Sequence, residues 1–479
     1  MRKIVIVTTL LLITGSLLSY SILESVSGNY IKNLDARSAA MGQTGVVSTG
    51  RLFDMFINPA NLASAKSNTG FQLGMNFVND TENRSLPMYN SFDAYSGEGT
   101  YVSNENVFAD FSFAAYYKYE IMDFDLVAAL SYRPQISFDA NYFEEVRNND
   151  NSNNNDFPPI LANNYIESEG AVNAAAFSLA ADYRDFINVG FEIAQLDGDA
   201  KWERKINWTD DAIDKLLMGP NPDSLVLENY YSKLKREFKG MQFKVGANIT
   251  ISPRIAAGFS FVPKVDFDVT GTLDSLDIED AVYMYYSQPD SLGNAVAVDS
   301  TMYSEFITPA RMKAGICFQP QNIMKTNFNC DVELVKWSEV NDLYDDEFNF
   351  FVGIEHVLKH SIPIRIGFSY ETSYGLQNHN GFVFSDKITK PSFTAGTGFT
   401  LLDRFTVDIG LQYSYRKYEA LDLFMDNYYW QDGDYEALWN VYYEGGVISS
   451  PIIQDRGWEN PDTVKERFVN LKTSISFNW

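Results

Sequence analysis

Two of the three histidines in this sequence, His356 and His360, lie four residues apart. On a helix that spacing would bring both imidazoles to one face, where they could bind a metal ion. The surrounding residues instead alternate as in a β-strand that ends in a turn, and there the two side chains do not converge. The third, His379, has no spacing that supports a Ser-His hydrolase. We therefore expect no enzyme, no catalytic residues, no metal site and no cofactor.

Acidic residues offer a second candidate for ion chemistry. Asp342, Asp345, Asp346 and Glu347 cluster in one segment, and the run DNSNNND covers residues 150–156. That run resembles a calcium-binding loop only faintly, because the glycine and the terminal glutamate are missing. We interpret both segments as solvated loops, with divalent-cation binding at the outer surface as the alternative. The formal net charge of -26 also argues against a nucleic-acid partner, which requires a basic surface.

The first residues predict export. Arg2 and Lys3 precede an apolar run at 4–18, which has the length of a signal-peptide core and is short for a membrane span. We predict a signal peptide over 1–21, with cleavage between 21 and 27; the alternative is an uncleaved anchor helix. No long apolar run follows, so the chain can cross a membrane only as a closed β-barrel, in which every backbone group is paired.

Strict alternation of apolar and polar residues runs through the rest of the sequence. In 405–415, apolar residues occupy every odd position, and the pattern returns at 469–479. A period of two over such lengths indicates strands, and aromatic residues at 15% of the chain fit the girdles of a membrane barrel. The predicted strands lie near 70–79, 107–119, 124–145, 165–183, 186–207, 236–251, 255–274, 302–319, 323–339, 347–358, 362–375, 389–402, 405–422 and 464–479.

The connections between these strands alternate between long and short. The first two long ones cover 80–106 and 146–164, and the tight ones include Arg184-Asp185 and Asp403-Arg404. This asymmetry is typical of outer-membrane barrels, which have tight periplasmic turns and long external loops. We therefore predict an all-β fold: an antiparallel transmembrane β-barrel of about 14 strands over 70–479. A soluble barrel or sandwich, with the apolar face buried, is the alternative.

Glycines recur on the polar, inward face at similar distances from the predicted periplasmic end. One interpretation is that they relieve the curvature of a closed sheet. The other is that they form a belt without side chains, where something else fills the lumen. The belt consists of Gly74, Gly190, Gly246, Gly258, Gly315, Gly353, Gly367, Gly398 and Gly410.

The segment ahead of the first strand suits a lumen plug. Residues 38–63 are rich in small residues and contain the turn Asn58-Pro59-Ala60. Such a segment can fold compactly inside a narrow barrel. We therefore predict an N-terminal hatch over 28–69, with Asn58, Pro59 and Ala60 as its gate. The alternative is that these three residues form an ordinary turn before the first strand.

These features together resemble the FadL-type outer-membrane transporters of long-chain fatty acids and other hydrophobic compounds. The stretch ARSAAMG at 36–42, followed by Asn58-Pro59-Ala60, is similar to the hatch signature of that family. The resemblance covers nearly all of the chain after the signal peptide, and the family fold is a fourteen-stranded barrel with an N-terminal hatch. Weaker matches lie at 243–246, 261–271, 309–311, 337–338 and 364–370.

The resemblance implies passive import of hydrophobic small molecules, namely long-chain fatty acids, hydrocarbons or aromatics, by a protein that we expect to be a monomer. In the family, an inward kink of the third strand opens a lateral exit into the bilayer. Pro134 lies in the third predicted strand and cannot donate to a strand ladder, so it is the candidate for that kink. Alternatively, strand pairing simply breaks near Pro134.

The end of the chain and the external loops suggest partners. Phe477 and Trp479 close an alternating last strand, which resembles the signal read by the barrel-assembly machinery in the outer membrane of a diderm bacterium; they could equally be girdle aromatics in contact with lipid. The long loop at 423–463 is rich in Tyr and Trp. The shuttle protein of type IX secretion, which binds protein cargo through its loops, resembles a member of the same superfamily, so a scaffold or shuttle of that kind is one alternative function and a general porin is another.

Overall fold

The computed structural model describes most of the chain from Ser21 to Trp479. The predicted signal peptide, the acidic run 150–156 and most of the loop 423–463 lie outside the described residues. The described ranges are 21–32, 34–47, 50–90, 92, 94–122, 124–147, 160–210, 229–277, 305–321, 325–340, 344–358, 362–379, 382–401, 404–420, 423–424, 430–431, 434–435, 442–443, 446–447 and 462–479.

Fourteen antiparallel strands in chain order form one sheet that closes on itself. Three of them are interrupted once and have two parts. The strands are β1 (Thr69–Tyr89), β2 (Tyr95–Ile121), β3 (Phe124–Ser137 and Ala140–Arg147), β4 (Ile160–Tyr183), β5 (Ile187–Trp208), β6 (Tyr230–Ser252), β7 (Ile255–Val262 and Val265–Leu273), β8 (Phe306–Thr308 and Arg311–Phe318), β9 (Thr326–Val335), β10 (Glu347–Val357), β11 (Pro363–His379), β12 (Phe382–Leu401), β13 (Phe405–Ala420) and β14 (Asp462–Asn478).

The first and last strands close the barrel. β1 pairs with β14 from Gly70 opposite Asn478 to Ser85 opposite Thr463. Beyond this ladder, the Trp479 amide donates to the Thr69 carbonyl at 3.0 Å. Because both chain ends of the barrel meet at the rim with the tight turns, the strand number is even. The predicted fold class is therefore confirmed.

Shorter elements complete the described structure. In that part of the chain, no helix is long and apolar enough to cross a membrane. Two-residue strands are Asn29–Tyr30, Leu276–Asp277, Trp430–Gln431, Asp434–Tyr435, Tyr442–Tyr443 and Gly446–Val447. The helical elements are α1 (Ala36–Ala40) and four 3₁₀ helices, Ile22–Glu24, Leu52–Phe56, Pro59–Ser64 and Trp337–Glu339.

The alternation of each strand separates an apolar outside from a polar inside. On β13, Leu411 and Tyr413 are 48% and 44% exposed, whereas Asp408 and Gln412 are buried. The same division holds around the barrel, where exposed Phe, Leu, Ile and Tyr side chains form the outer face. The predicted orientation is confirmed, and it is the one that a lipid environment requires.

Several predicted loops are wrong because the strands continue through them. The predicted loop 80–106 is a hairpin, in which β1 and β2 pair as far as Tyr89 opposite Tyr95. The predicted loop 376–388 is likewise the hairpin of β11 and β12, which ends at His379 opposite Phe382. Beyond the membrane both faces of a strand become polar, so the apolar alternation fades while backbone pairing continues.

Candidate transport path

The N-terminal segment (residues 21–65) lies inside the barrel. Its side chains are mostly buried, and it approaches the inward faces of strands on all sides. The closest approaches are at glycines. A Cβ atom added to Gly353 would lie 2.2 Å from the Met41 carbonyl oxygen, and one added to Gly410 would lie 2.5 Å from the Ala36 carbonyl oxygen. Backbone of the segment therefore rests directly on barrel backbone.

Most of the predicted glycine belt touches this segment. Added Cβ atoms would meet Phe53 at Gly74, Val46 at Gly258 and Gly315, and Gly42 at Gly367. Gly398 differs, because the three atoms nearest to its added Cβ all belong to Val407 and Asp408 of β13. The space beside these glycines is thus occupied by the N-terminal segment in every case but Gly398.

Asn58, Pro59 and Ala60 lie against β5 and β6 and are fully buried. Asn58 is the N-cap of the 3₁₀ helix Pro59–Ser64: its Oδ1 accepts from the Ala60 amide at 3.0 Å, and its Nδ2 donates to the Val46 carbonyl at 2.8 Å. Gly190 and Gly246, which pair across β5 and β6, face these residues. The turn is therefore fixed to the wall rather than exposed in front of the first strand.

A chain of buried ion pairs joins the segment to the opposite wall. Arg37 donates through Nε and Nη2 to both carboxylate oxygens of Glu355 at 2.9 Å. Arg365 of β11 bridges Glu355 at 2.6 Å and Asp408 at 2.8 Å. Arg51 completes the chain with Nε 2.6 Å from Asp408. Two arginines of the segment thus share two barrel carboxylates with one barrel arginine, so every charged group in the chain has at least one partner of opposite charge.

Further polar contacts hold other parts of the segment. Asp331 of β9 accepts from the Gly45 amide at 2.7 Å and the Val46 amide at 3.0 Å. Lys244 of β6 donates to the Phe56 carbonyl at 2.7 Å while pairing with Glu192. These bonds satisfy backbone groups that no helix or sheet ladder would satisfy.

A cavity of about 200 Å³ lies in the outer half of the lumen, above the N-terminal segment. Its wall is more apolar than polar, and it includes Phe306, Trp337, Tyr344 and Tyr374 from the outer ends of β8 to β11. Its floor includes Tyr30 of the N-terminal segment. The cavity therefore combines aromatic walls with a position in the outer half of the lumen.

The barrel wall is interrupted between β2 and β3. Their ladder ends at Phe113 opposite Tyr132, although β2 continues outward for many residues. Farther out, side chains of β2 rejoin them: Asn106 Nδ2 donates to the Asn141 carbonyl at 3.0 Å, and the Phe143 amide donates to Asn104 Oδ1 at 3.1 Å. The interval covers about six residues of β2, or roughly 20 Å of strand.

β3 turns inward at this interval. Residues 133–140 are all buried, so the alternation of outward and inward side chains is lost there. Pro134 lies at the irregularity, since the register with β4 shifts between Pro134 and Ile136. In this interval the edge of β3 no longer pairs with β2. That edge pairs with Asn29–Tyr30 instead, and the Ile31 amide donates to the Gln135 carbonyl at 2.9 Å. Ile136, Asn29 and Tyr30 also line the outer cavity.

The predicted assembly residues lie at the tight-turn rim. The Phe477 ring is 4.3 Å from the Phe405 ring and 5.0 Å from the Trp479 ring, centroid to centroid. Trp479 is 56% exposed. The arrangement forms an outward aromatic corner at the seam of β14 with β1, and its role in assembly stays a prediction.

Sequence reasoning missed three parts of this path: the ion-pair chain, the aromatic cavity and the strand Asn29–Tyr30. Arginines at 37 and 51 inside a predicted plug were a signal for the first, because a buried guanidinium requires a carboxylate. Among the described residues, no group of three or more His, Cys, Asp and Glu side chains is placed to hold a metal ion.

Comparisons with solved structures identify the fold. The structure is similar to a Pseudomonas aeruginosa FadL homologue (TM-score 0.57, 12% identity, covering 94% of this chain and 99% of that one). It is also similar to the P. putida toluene transporter TodX (TM-score 0.53, 12% identity, 94% and 99% covered) and to the CymD monoaromatic hydrocarbon channel (TM-score 0.50, 12% identity, 96% and 99% covered). No protein-family model and no curated protein matches the sequence.

The fold and the occupied lumen define a class of protein, a β-barrel of the outer-membrane type with its N-terminal segment inside. Within that class the chain has the FadL-type fold, so the resemblance predicted from the sequence is confirmed at the level of the fold.

Proposed function

We propose that this protein is an outer-membrane channel for passive import of hydrophobic small molecules. One observation carries the proposal: the aromatic cavity in the outer lumen reaches Ile136, at the point where the barrel wall opens between β2 and β3. The outer cavity and the unpaired interval of the wall thus share Ile136, which supports a path from the lumen to the bilayer. The FadL homologue and the hydrocarbon and toluene transporters with the same fold support this function.

In this proposal, the substrate passes from water into the cavity and then leaves the barrel through the gap beside Pro134. Transfer of apolar surface out of water supplies the driving force, about 25 cal/mol per Å² buried. The rim of the gap suits this exit, because Phe111, Phe113 and Tyr132 are exposed on the outer face of the wall. Asn29–Tyr30 covers the inner side of the gap and would move when substrate passes.

The N-terminal segment acts as the hatch in this proposal. It fills the periplasmic half of the lumen, with Asn58, Pro59 and Ala60 against β5 and β6. Polar solutes would have to break the ion pairs of Arg37 and Arg51 to pass. This occupied lumen favours selective transport over a general porin, and the channels with the same fold favour a transport role over an enzyme.

In this proposal, the outer surface of the barrel also determines the environment and the partners of the protein. The apolar outer face would contact lipid in the outer membrane of a diderm bacterium, and the barrel-assembly machinery would insert the chain through the signal around Phe477 and Trp479. The barrel closes on itself within one chain, so a monomer suffices for the path.

The test is uptake by the folded protein in liposomes and in cells that lack a channel of this kind. We expect uptake of hydrophobic compounds, lowered several-fold by Pro134→Ala, because a restored N–H favours a straight β3 and a narrower gap. Pro391→Ala is the matched control, since Pro391 lies in an uninterrupted ladder of β12 with β11. Equal uptake by all three proteins would exclude the lateral exit, and no uptake of any hydrophobic compound would exclude the function.

A further inference from the structure

The first residues of the N-terminal segment, 21–28, bind the outer half of the barrel wall. The Ile22 side chain packs in a buried apolar cluster that includes Val102 of β2. Arg236 of β6 donates through Nη2 to the Val26 carbonyl at 2.6 Å. A chain that began after this stretch would therefore lack contacts that the folded barrel makes.

Two places in this region have the small residues that a signal peptidase requires three positions and one position before its cut. Cleavage after Ser19-Tyr20-Ser21 gives a chain that begins at Ile22, whereas cleavage after Ser25-Val26-Ser27 gives one that begins at Gly28. The second cut would remove the contacts that Ile22 and its neighbours make with the wall, and the first cut keeps them. The structure thus favours Ile22 as the first residue of the exported chain.

Carboxylates outnumber cations around the start of the N-terminal segment. Arg416 of β13 pairs with Glu466 of β14 and, at 2.7 Å, with Glu24. Arg84 of β1 likewise bridges two carboxylates, and one of these, Glu82, lies directly opposite Glu466 on the neighbouring strand. The two sets of ion pairs therefore form one cluster, which consists of Arg84, Arg416, Glu24, Glu82, Asp462 and Glu466.

The cluster has two negative charges in excess, because two guanidiniums pair with four carboxylates. Asp80 and Lys390, which lie against the Phe468 side of the cluster, add one charge of each sign and leave the balance as it is. Buried charges in proteins are compensated, so such an excess requires protonated carboxyl groups or a further cation.

We propose that cleavage after Ser21 places the new amino terminus, at Ile22, in this cluster as a further cation. The Ser21 hydroxyl donates to Glu466, so the nitrogen that follows it in the chain lies beside that carboxylate. Hydrolysis breaks the C–N bond between the two residues. Water supplies the oxygen of the new Ser21 carboxylate, and its two protons pass to the Ile22 nitrogen, which becomes an ammonium group.

The cut changes what this part of the lumen contains. In the precursor, the same nitrogen is a neutral amide and is still joined to the signal peptide. In the processed chain, an ammonium group donates to a buried carboxylate, and a hydrogen bond between two charged groups is stronger than one between neutral groups. We therefore expect residues 22–28 to bind the wall more tightly after processing, whichever compound the channel transports.

The first experiment uses the processed protein purified from outer membranes. Mass spectrometry of the intact chain identifies its first residue, which we expect to be Ile22. The folded barrel and the heat-unfolded chain are then treated at pH 7 with an acylating reagent. In the unfolded chain, an α-amine reacts faster than a lysine because its pKa is lower. In the folded barrel, we expect the Ile22 amine to react more slowly than the exposed Lys235 of β6.

Two variants and their controls separate the cut from the charge. Ser21→Leu removes the small residue before the cut, so we expect unprocessed chain, whereas Ser27→Leu should be processed like the unmodified protein. Glu466→Gln removes the carboxylate beside the terminus, so we expect the Ile22 amine to be acylated about tenfold faster, since a hydrogen bond between charged groups is lost. Glu169→Gln, on the exposed outer wall, should leave that rate unchanged.

The outcomes test the cut and the charge separately. A processed chain that begins at any residue other than Ile22 overturns the cleavage site. An Ile22 amine that reacts in the folded barrel as fast as Lys235, or as fast as in Glu466→Gln, overturns the role of the ammonium group. If Glu466→Gln yields no folded barrel, the comparison with Lys235 decides. Uptake of hydrophobic compounds is unaffected by these results and tests the proposed function by itself.

Discussion

Alanine at Gly190 or Gly246 should unseat the N-terminal segment. A Cβ atom at Gly190 would lie 2.3 Å from the Ala60 nitrogen and 2.3 Å from the Pro59 carbonyl carbon. Both are backbone atoms, so the contact is relieved only if residues 58–60 move away from β5. At Gly246 the nearest atom is Asn58 Oδ1 at 1.8 Å. That side chain can rotate, but then it loses its bonds to Ala60 and Val46.

The size of the effect follows from these contacts. Forcing one extra methyl group into a packed site costs about 1–3 kcal/mol, and the absence of a flexible neighbour places Gly190→Ala toward the upper end. If the strain is released by displacing the segment, the displaced fraction rises roughly five- to a hundredfold. The Gly246→Ala variant should show a smaller rise, because rotating Asn58 sacrifices about two hydrogen bonds of about 1 kcal/mol each.

The assay is conductance of the folded protein in planar bilayers, together with swelling of liposomes in a small sugar. We expect Gly190→Ala to leak ions and sugar more than the unmodified protein. Heat-dependent mobility in electrophoresis verifies that the barrel itself is folded. Gly240→Ala is the control, since it lies on β6 with Gly246 and an added Cβ meets side chains of β7 and no backbone, namely Phe267 at 3.0 Å and Val265 at 3.3 Å. Folded Gly190→Ala protein that stays closed would refute a hatch wedged at this position.

Three further changes probe other parts of the structure. Glu355→Gln removes the carboxylate that Arg37 and Arg365 share, so we expect the N-terminal segment to bind the barrel less tightly by about 3–5 kcal/mol and conductance to rise. Glu169→Gln is the control, because Glu169 pairs with the partly exposed Lys201, and it should change neither conductance nor stability. Gly28→Ala places a Cβ 2.6 Å from Ile136 at a φ of +76°, so it should weaken the pairing of Asn29–Tyr30 with β3. We expect uptake of hydrophobic compounds to rise. Lowered uptake would show that this strand does not cover the exit. Trp479→Ser should reduce the yield of membrane-inserted barrel several-fold, measured by quantitative blotting, while Phe348→Ser, at a lipid-facing position with similar exposure, should reduce it less.

The barrel was predictable because its signal is local. Alternation along each strand reports which side meets lipid, and 405–415 shows it without any knowledge of the partner strands. Small residues at 38–63 and glycines on the inward faces likewise report a tight fit, since a close approach of two backbones excludes side chains. The outer hairpins were missed for the same reason. Above the membrane neither face of β1 or β2 is apolar, so the alternation in the sequence is lost there although both strands continue.

The contents of the site depend on contacts that are distant in sequence. Arg37 and Glu355 are separated by 318 residues, and nothing near either of them identifies the other. The strand Asn29–Tyr30 has two residues, too few for any periodicity, and exists because β3 leaves β2 and exposes an edge. Pro134 marked that departure, yet the sequence did not show which chain would take the free edge. The aromatic cavity likewise needs the ends of four strands and one N-terminal tyrosine to meet.

The polarity of the lumen argues for the side exit over a straight path. Below the cavity, a hydrophobic molecule would have to pass Arg37, Glu355 and Asp408, and separating such buried pairs costs about 3–5 kcal/mol each. It would then enter periplasmic water, where an aromatic ring that buries 150–250 Å² forfeits roughly 4–6 kcal/mol of transfer free energy. At Ile136 the same molecule would lie beside the interval of about six residues in which β2 and β3 are unpaired, and the outer rim of that interval is aromatic. Passing through it keeps the ring out of water and leaves the ion pairs intact, so the exit requires movement of Asn29–Tyr30 but not of the rest of the hatch.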